Sequence, residues 1–164
     1  MKVKFENIIR EHQDRLYRMC RSAVFDPQYA EDLYQEVLIN IWKALKRFRG
    51  EASLTTYLYR IVINTAITFN RKEKRRSQAM EKIRRLPQQV DAFTEQADQR
   101  LANLNQAIHQ LPEEERWIIG MYLDSLSYKE IASVLGSNTN YVGVKINRIK
   151  KKLEKLIKLN TNGR

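Results

Sequence analysis

Apolar residues recur at the three- and four-residue spacing of amphipathic helices in two blocks of the chain, with a polar stretch between them. In the first block, one stripe covers residues 5–23, a second covers residues 30–48, and a third covers residues 54–69. Each stripe is long enough for a helix of several turns with one face turned toward a core. The first block therefore predicts amphipathic helices that pack on one another.

Local capping signals separate these stripes. Asp26 followed by Pro27 indicates a helix start, because aspartate accepts hydrogen bonds from free amides and proline suits the first helical position. Gly50 ends the second stripe, and Ser53 can cap the third helix. We therefore predict a small N-terminal bundle of three or four helices.

The second block has the pattern of a helix-turn-helix. Pro112 begins a helix with three glutamates in its first turn, and a capping box at Ser127 precedes a short apolar helix that Gly136 ends. A longer basic helix follows, which Asn138 or Asn140 can cap. Its core stripe consists of Val142, Ile146, Ile149, Leu153, Leu156 and Ile157.

The polar stretch between the blocks predicts a domain boundary. Residues 71–94 lose the helical periodicity, and so long a loop is unusual inside one compact domain. We predict an all-α fold of two small helical domains joined by a flexible linker whose start can extend the third helix. The predicted ranges are 1–72 for the N-terminal bundle, 73–96 for the linker and 97–160 for the helix-turn-helix domain.

Composition narrows the class of protein. The 164 residues include only 5 Gly and 3 Pro, too few for a turn-rich sheet or barrel, while 43% hydrophobic residues suffice for a packed core. One cysteine and two histidines provide neither a disulfide nor a Cys/His metal cage. No apolar run is long enough to span a membrane, and the first residues lack a signal-peptide core. We therefore expect a cytoplasmic protein without an integral membrane segment.

The charge of the chain indicates an anionic partner. Lys and Arg number 30 against 19 Asp and Glu, for a net charge of +11. The excess is concentrated in residues 71–76 and residues 138–158, one run after each apolar block. Either run alone also fits a solvated helix face, but the two together favour two contacts with a polyanion.

The basic helix carries the side chains of a DNA-reading helix. Arginine can bind guanine through two hydrogen bonds and asparagine can bind adenine, whereas the lysines after Ile149 suit phosphate contacts. The residues that we expect to face outward or to the flanks are Asn140, Tyr141, Lys145, Asn147 and Arg148.

Both blocks contain segments that resemble bacterial sigma-70 family factors. In the second block, LPEEER at 111–116, LSYKEIA at 126–132 and LG at 135–136, followed by KKL at 151–153, resemble sigma region 4. In the first block, AEDLYQEV at 30–37 with WKAL at 42–45 resembles region 2.2. FRGEASL at 48–54 with TYLYRI at 56–61 resembles the segment that reads the promoter −10 element. The match spans about residues 5–158, and the lack of further regions resembles the extracytoplasmic-function (ECF) group.

The resemblance implies a transcription initiation factor that binds core RNA polymerase and directs it to promoters. Its implied partners are the β′ clamp helices and β flap of the polymerase, promoter DNA and an anti-sigma factor. Residues 27–42 contain no Lys or Arg, so this helix carries an acidic patch. An acidic patch suits binding to a basic protein partner such as the polymerase. The residues at the family's polymerase-docking positions, together with the outward Ile39, are Asp32, Gln35, Glu36, Ile39 and Asn40.

The resemblance also assigns residues to promoter DNA. At the −10 element, a flipped-out base needs walls, polar groups and nearby cations, and the candidates are Arg49, Gly50, Glu51, Ser53, Tyr57, Arg60, Asn64, Arg71 and Arg75. At the −35 element the candidates are Ser127, Asn140, Tyr141, Lys145, Asn147, Arg148, Lys151 and Lys152. Tyr141 and Gly143 depart from the family pattern, so only the placement of the helix is implied there, not its readout of bases.

Other readings remain open. A stand-alone helix-turn-helix regulator would use the first block for dimerisation or ligand sensing. An enzyme acting on nucleic acid is poorly supported, because the sequence shows no nucleophile–base pair, Gly-rich phosphate loop or carboxylate dyad. We therefore predict no catalysis, no cofactor and no metal site.

Overall fold

The computed structural model describes residues 2–81 and 99–163, and every regular element within those ranges is helical. The elements are α1 (Lys2–Ala23), a 3-10 turn (Pro27–Tyr29), α2 (Ala30–Leu45), α3 (Leu54–Glu81), α4 (Gln99–His109), α5 (Glu113–Leu123), α6 (Tyr128–Leu135) and α7 (Thr139–Asn162). The all-α class predicted from the hydrophobic pattern is confirmed.

Helices α1 to α3 form the N-terminal bundle. Leu16, Leu33, Val37, Ile41 and Val62 are fully or almost fully buried at its centre. Burial of each such side chain contributes about 1.5–3 kcal/mol relative to exposure. The bundle is thus held together by the three stripes that the sequence pattern predicts.

Asp26 and Ser53 cap helical turns as predicted, whereas α2 ends earlier than its apolar stripe. The Asp26 side chain accepts from the amide of Gln28, and the Ser53 hydroxyl accepts from the amide of Thr56. Helix α2, however, ends at Leu45, before the end of its apolar stripe at Phe48. The Phe48 ring instead packs from the loop against the ring of Tyr57, with 4.8 Å between the ring centroids.

Helices α4 to α7 form the second half of the molecule. Ser127 and Glu130 make the predicted capping box of α6, and Gly136 ends α6 in the left-handed conformation at φ 66°. Asn138, rather than Asn140, caps α7 by accepting from the amide of Tyr141. A short α6, a tight turn and a long α7 therefore form the predicted helix-turn-helix.

The two halves pack directly against each other. Helix α1 lies against α5 and α3 lies against α6, and buried residues of both halves form one continuous core. At Gly120 of α5 the side chains of α1 come so close that an added Cβ would lie 3.1 Å from Sδ of Met19 and 3.3 Å from Cβ of Ser22. The absence of a side chain at this position permits the close approach.

Helix α3 continues past the predicted domain boundary at residue 72 and reaches Glu81. The first part of the predicted linker, residues 73–96, is therefore helical. This agrees with the expectation that the start of the linker extends the third helix. Its later part, residues 82–96, lies outside the described residues, and the domain ranges 1–72 and 97–160 stay predictions.

Candidate nucleic-acid and partner interfaces

One face of α2 forms an acidic ridge, which we define as Asp32, Gln35, Glu36, Ile39 and Asn40. The opposite face holds the buried core residues, so helical periodicity turns the ridge outward. Ile39 lies between the polar residues of the ridge and is 52% exposed. Asn40 is held by a hydrogen bond from its amide nitrogen to the hydroxyl of Thr65 on α3, at 3.0 Å. The ridge therefore combines negative charge with exposed apolar surface.

The loop between α2 and α3 carries four of the predicted −10 residues. Arg49, Gly50, Glu51 and Ser53 are all exposed, and Gly50 adopts φ 76°, which favours glycine. Ser53 also caps α3, so its side chain both starts the helix and lies at the loop surface. The loop is thus an exposed, well-defined turn beside the bundle.

A basic cleft next to this loop was missed by sequence reasoning. Lys43, Lys46 and Arg47 line it together with Tyr57, whose hydroxyl donates to the carbonyl of Ala44 at 2.9 Å. The same carbonyl also accepts from the amide of Arg47 at 2.9 Å, and the Tyr57 bond fixes the tyrosine ring at the side of the cleft. Lys43 lies in the last turn of α2, and Lys46 and Arg47 follow directly after its end, so the chain changes from acidic to basic just beyond the acidic ridge. That change of sign is the sequence signal for the cleft.

The remaining −10 candidates lie on α3, and the structure separates them. Asn64, Arg71 and Arg75 are exposed. Arg60 instead reaches across to the second half, where its guanidinium donates to the carbonyl of Ser133 at 2.7 and 3.0 Å and to the hydroxyl of Ser133 at 3.1 Å. In this arrangement, Arg60 is engaged by α6.

A second polar contact joins the halves at Asp124, after the end of α5. Its carboxylate accepts from Nε of Arg18 at 3.1 Å and from the hydroxyl of Tyr59 at 2.5 Å, while the side chain is only 7% exposed. Burial and the hydrogen bond to Asp124 raise the pKa of Tyr59 above its ordinary value, so the tyrosine is a stable donor at neutral pH. No sequence pattern predicted this contact.

The DNA-facing candidates on α7 fall into two groups. Three turn toward α5: the Tyr141 hydroxyl donates to Glu114 at 2.8 Å, Lys145 lies 3.7 Å from Glu114, and Lys152 donates to Glu115 at 2.6 Å. The others, exposed on the side away from the core, are Asn140, Asn147, Arg148 and Lys151. The acidic first turn of α5 thus neutralises one flank of α7 and leaves its outer face for a ligand.

Gly143, which departs from the family pattern, and Ser127, a −35 candidate, both make local contacts within the helix-turn-helix. Gly143 faces the ring of Tyr128 on α6, to which an added Cβ would lie 3.4 Å away, so its close neighbour is the first helix of the helix-turn-helix. Ser127 is occupied in its capping box with Glu130, and the Ser127 amide donates to that carboxylate at 2.8 Å.

The second half also has an apolar groove, which we define as Leu104, Ile119, Leu123, Leu153 and Ile157, contributed by α4, α5 and α7. Its edges carry Lys150, Glu154 and Lys158. Such a groove suits an amphipathic helix, with apolar contacts at its floor and charges at its rim. Leu153 and Ile157 belong to the core stripe that the sequence predicts for α7, and the packing of α4, α5 and α7 leaves the groove open beside them.

Comparisons with known proteins were consistent across sequence and structure. The chain matches the family model for Sigma-70 region 2 over residues 8–76 and the model for Sigma-70, region 4 over residues 101–153. It is 28% identical to the RNA polymerase sigma-H factor of Pseudomonas aeruginosa, over 93% of this chain and 86% of that protein. It is also 28% identical to the ECF RNA polymerase sigma factor SigW of Bacillus subtilis, over 94% of this chain and 89% of that protein.

Among solved structures, the chain is similar to the sigma factor RpoE of Bartonella quintana in its complex with the anti-sigma factor NepR. The TM-score is 0.80 at 22% identity, covering 95% of this chain and 98% of that one, which establishes a shared fold. None of the helices within residues 2–81 and 99–163 combines the length and the hydropathy of a transmembrane span. The same residues contain no cluster of three or more His, Cys, Asp or Glu able to hold a metal ion.

Proposed function

The chain belongs to the sigma-70 family of RNA polymerase sigma factors, in its ECF group, and we propose how its surfaces divide the work of promoter recognition. It is a transcription initiation factor that binds core RNA polymerase and directs it to promoters. We assign polymerase docking to the acidic ridge of α2, the −10 element to the loop and α3, and the −35 element to α7. The protein acts in the cytoplasm without catalysis of its own.

The acidic ridge supports polymerase docking. A DNA-binding protein with a net charge of +11 gains nothing from an acidic surface against DNA, but such a surface attracts a basic protein partner. Ile39 supplies exposed apolar area at its centre, which adds affinity once water is excluded. We assign this surface to the β′ clamp helices.

Glu36→Lys tests the docking assignment because it reverses a charge within the ridge. We expect a loss of core-polymerase affinity of at least tenfold, with unchanged helicity and thermal unfolding. The matched control is Glu11→Lys on the exposed face of α1, which makes the same charge change away from the ridge. Equal affinity of both variants would contradict the assignment.

The exposed loop and the basic cleft support binding of the −10 element. The family resemblance implies a pocket for a flipped-out base of the −10 element, and we assign Tyr57 to its wall. Phosphate contacts beside that pocket would come from Arg49 and from the cleft cations Lys43, Lys46 and Arg47. Exposed Arg71 and Arg75 extend the same positive surface along α3. Arg60 joins them only when it leaves Ser133, so we propose that the two halves separate when the promoter binds.

The outer face of α7 supports binding of the −35 element. Arg148 and the asparagines at 140 and 147 are exposed together, and these residue types read guanine and adenine in the major groove. Lys151 suits a phosphate contact. Ser127, Tyr141, Lys145 and Lys152 are proposed as flanking contacts that release their glutamate or capping partners on binding.

Arg148→Ala should reduce initiation at promoters with a −35 element more than at promoters that lack it.

The apolar groove supports a second contact with the polymerase. We assign it to the β flap, because an amphipathic segment fits an apolar floor with charged edges. An anti-sigma factor is a further proposed partner, since the structurally similar RpoE was solved with one. Binding of an anti-sigma factor to either the ridge or the groove would exclude polymerase from it.

The observation that carries the proposal is the coexistence of an acidic ridge with two separate basic surfaces in one basic chain. Transcription in vitro with core polymerase and a pool of promoter fragments, with the products sequenced, tests it directly. We expect new start sites that require this protein. A stand-alone regulator would instead bind a duplex operator tightly without polymerase and add no start-site selectivity to it.

A further inference from the structure

Val144 is an exposed apolar residue on the outer face of α7. It is 43% exposed, whereas Val142, Ile146 and Ile149 on the same helix are completely buried. Residues three, four and seven apart share a helix face, so Val144 lies between Asn140 and Asn147 and points away from the core. Val144 lies in the second turn of α7, close to the N-terminus of the helix. In a recognition helix, the residues near the N-terminus are the ones that contact base edges in the major groove.

The surroundings of Val144 distinguish it from an incidental surface valine, which by itself needs no explanation. The flank of α7 nearest α5 is occupied by ion pairs and hydrogen bonds to Glu114 and Glu115. The outer face around Val144 instead presents amide side chains, which read base edges. An apolar group in the centre of such a face is placed to meet an apolar group on the bases.

We propose that Val144 contacts the C5-methyl group of a thymine in the −35 element and selects that base. The major groove of B-DNA offers one apolar group, the thymine methyl, and aliphatic side chains are its usual partners. The inference rests on the proposed function, since it requires α7 to lie in the −35 groove. It extends that function by naming a residue and a base feature that the charged contacts do not determine.

Selection from a promoter library gives the first measurement. Core polymerase with the wild-type chain, with Val144→Ala or with the control Leu159→Ala would initiate from promoters randomised across the −35 element. Leu159 is exposed on α7 far from the outer face at Val144, so its loss removes apolar area without touching the proposed contact. We expect one thymine in the wild-type and Leu159→Ala consensus to lose its enrichment with Val144→Ala.

Removal of the methyl group itself gives the second measurement. On the promoter selected by the wild type, that thymine is replaced by deoxyuridine, which lacks only the C5-methyl, and a spacer thymine is replaced as a control. Loss of one methyl contact should reduce wild-type initiation about fourfold. The Val144→Ala holoenzyme should show no difference between the two templates, because the contact is already absent.

The outcomes separate the two proposals. If the wild-type holoenzyme selects no promoter sequence at all, the proposed function fails. If it selects a −35 element but Val144→Ala selects the same bases, or if deoxyuridine reduces both holoenzymes equally, only the Val144 contact is overturned. Unchanged thermal unfolding of Val144→Ala, expected because the site is exposed and alanine favours helix, excludes a folding defect.

Discussion

Replacement of Tyr59 by phenylalanine should weaken the contact between the two halves of the molecule. The Tyr59 ring is 1% exposed at the face of α3 that meets the second half, and its hydroxyl donates to Asp124 at 2.5 Å. Phenylalanine fills the same space, so the substitution removes one hydrogen bond and creates no cavity. Asp124 then keeps only Arg18 as a donor among its described contacts.

The expected loss follows from the charge and burial of the acceptor. A hydrogen bond to a charged group contributes about 1.5–3 kcal/mol, and the buried carboxylate oxygen that loses its donor cannot regain it from bulk water. The raised pKa of Tyr59 means that the donor is present throughout the neutral range. We therefore expect the free energy of unfolding to fall by about 2 kcal/mol at pH 7.

A double-mutant cycle measures the interaction itself. Tyr59→Phe, Asp124→Ala and the double variant would be unfolded in urea, with fluorescence of Trp42 in the first half and Trp117 in the second. We expect a coupling free energy of about 1.5–3 kcal/mol at both tryptophans, since the contact joins the two halves. The matched control is Tyr57→Phe, which removes a hydroxyl bonded within the first half.

Two results would refute this reasoning. Additive effects of Tyr59→Phe and Asp124→Ala would mean that the two side chains do not interact in solution. A smaller loss for Tyr59→Phe than for Tyr57→Phe would mean that the contact between the halves contributes less than a half-buried bond to a backbone carbonyl. Either result would also weaken the proposal that Arg60 is engaged by the second half before promoter binding.

Three further measurements probe the same fold. Gly120→Ala should destabilise the protein by about 1 kcal/mol in urea unfolding despite alanine's better helix propensity, because the new methyl approaches Sδ of Met19 at 3.1 Å; a more stable variant would contradict the close approach of α1 and α5. Burial and the nearby cation of Arg116 lower the pKa of His109 below 6.5, so the unfolded chain binds the proton first and stability should fall as the pH drops below 6.5. His109→Gln should remove that part of the slope, and an unchanged pH profile would exclude the effect. Cys20 is fully buried and burial raises the pKa of its thiol to about 12, so its alkylation should proceed only at the rate of unfolding; rapid labelling of the native protein would oppose this.

The helices and their ends could be predicted from the sequence because their causes are local. A cap at Ser53 or Ser127 depends on a side chain and an amide three residues away, and the left-handed end of α6 depends on Gly136 alone. The acidic ridge was equally accessible, since a run without Lys or Arg on a helix of known periodicity has only one outward face. The family followed from the same motifs.

The contacts between the halves could not be predicted, because their partners are far apart along the chain. Asp124 meets side chains 65 and 106 residues away, and Arg60 meets Ser133 at a separation of 73. No periodicity relates such positions, so their pairing depends on how α1 packs on α5 and α3 on α6. The same packing decides which charges on α7 are neutralised by α5.

By itself, then, the sequence determined the all-α class, the order of the helices, their caps and the distribution of charge, all of which arise within a few residues. Only the tertiary structure decided that Lys145 and Lys152 turn to glutamates, that Arg60 is engaged by α6 and that Val144 is exposed among the polar side chains of the outer face. The physical reason is that a side chain stays exposed to water unless neighbours from another part of the chain pack or hydrogen-bond against it. Those neighbours are assembled only by the packing of the helices.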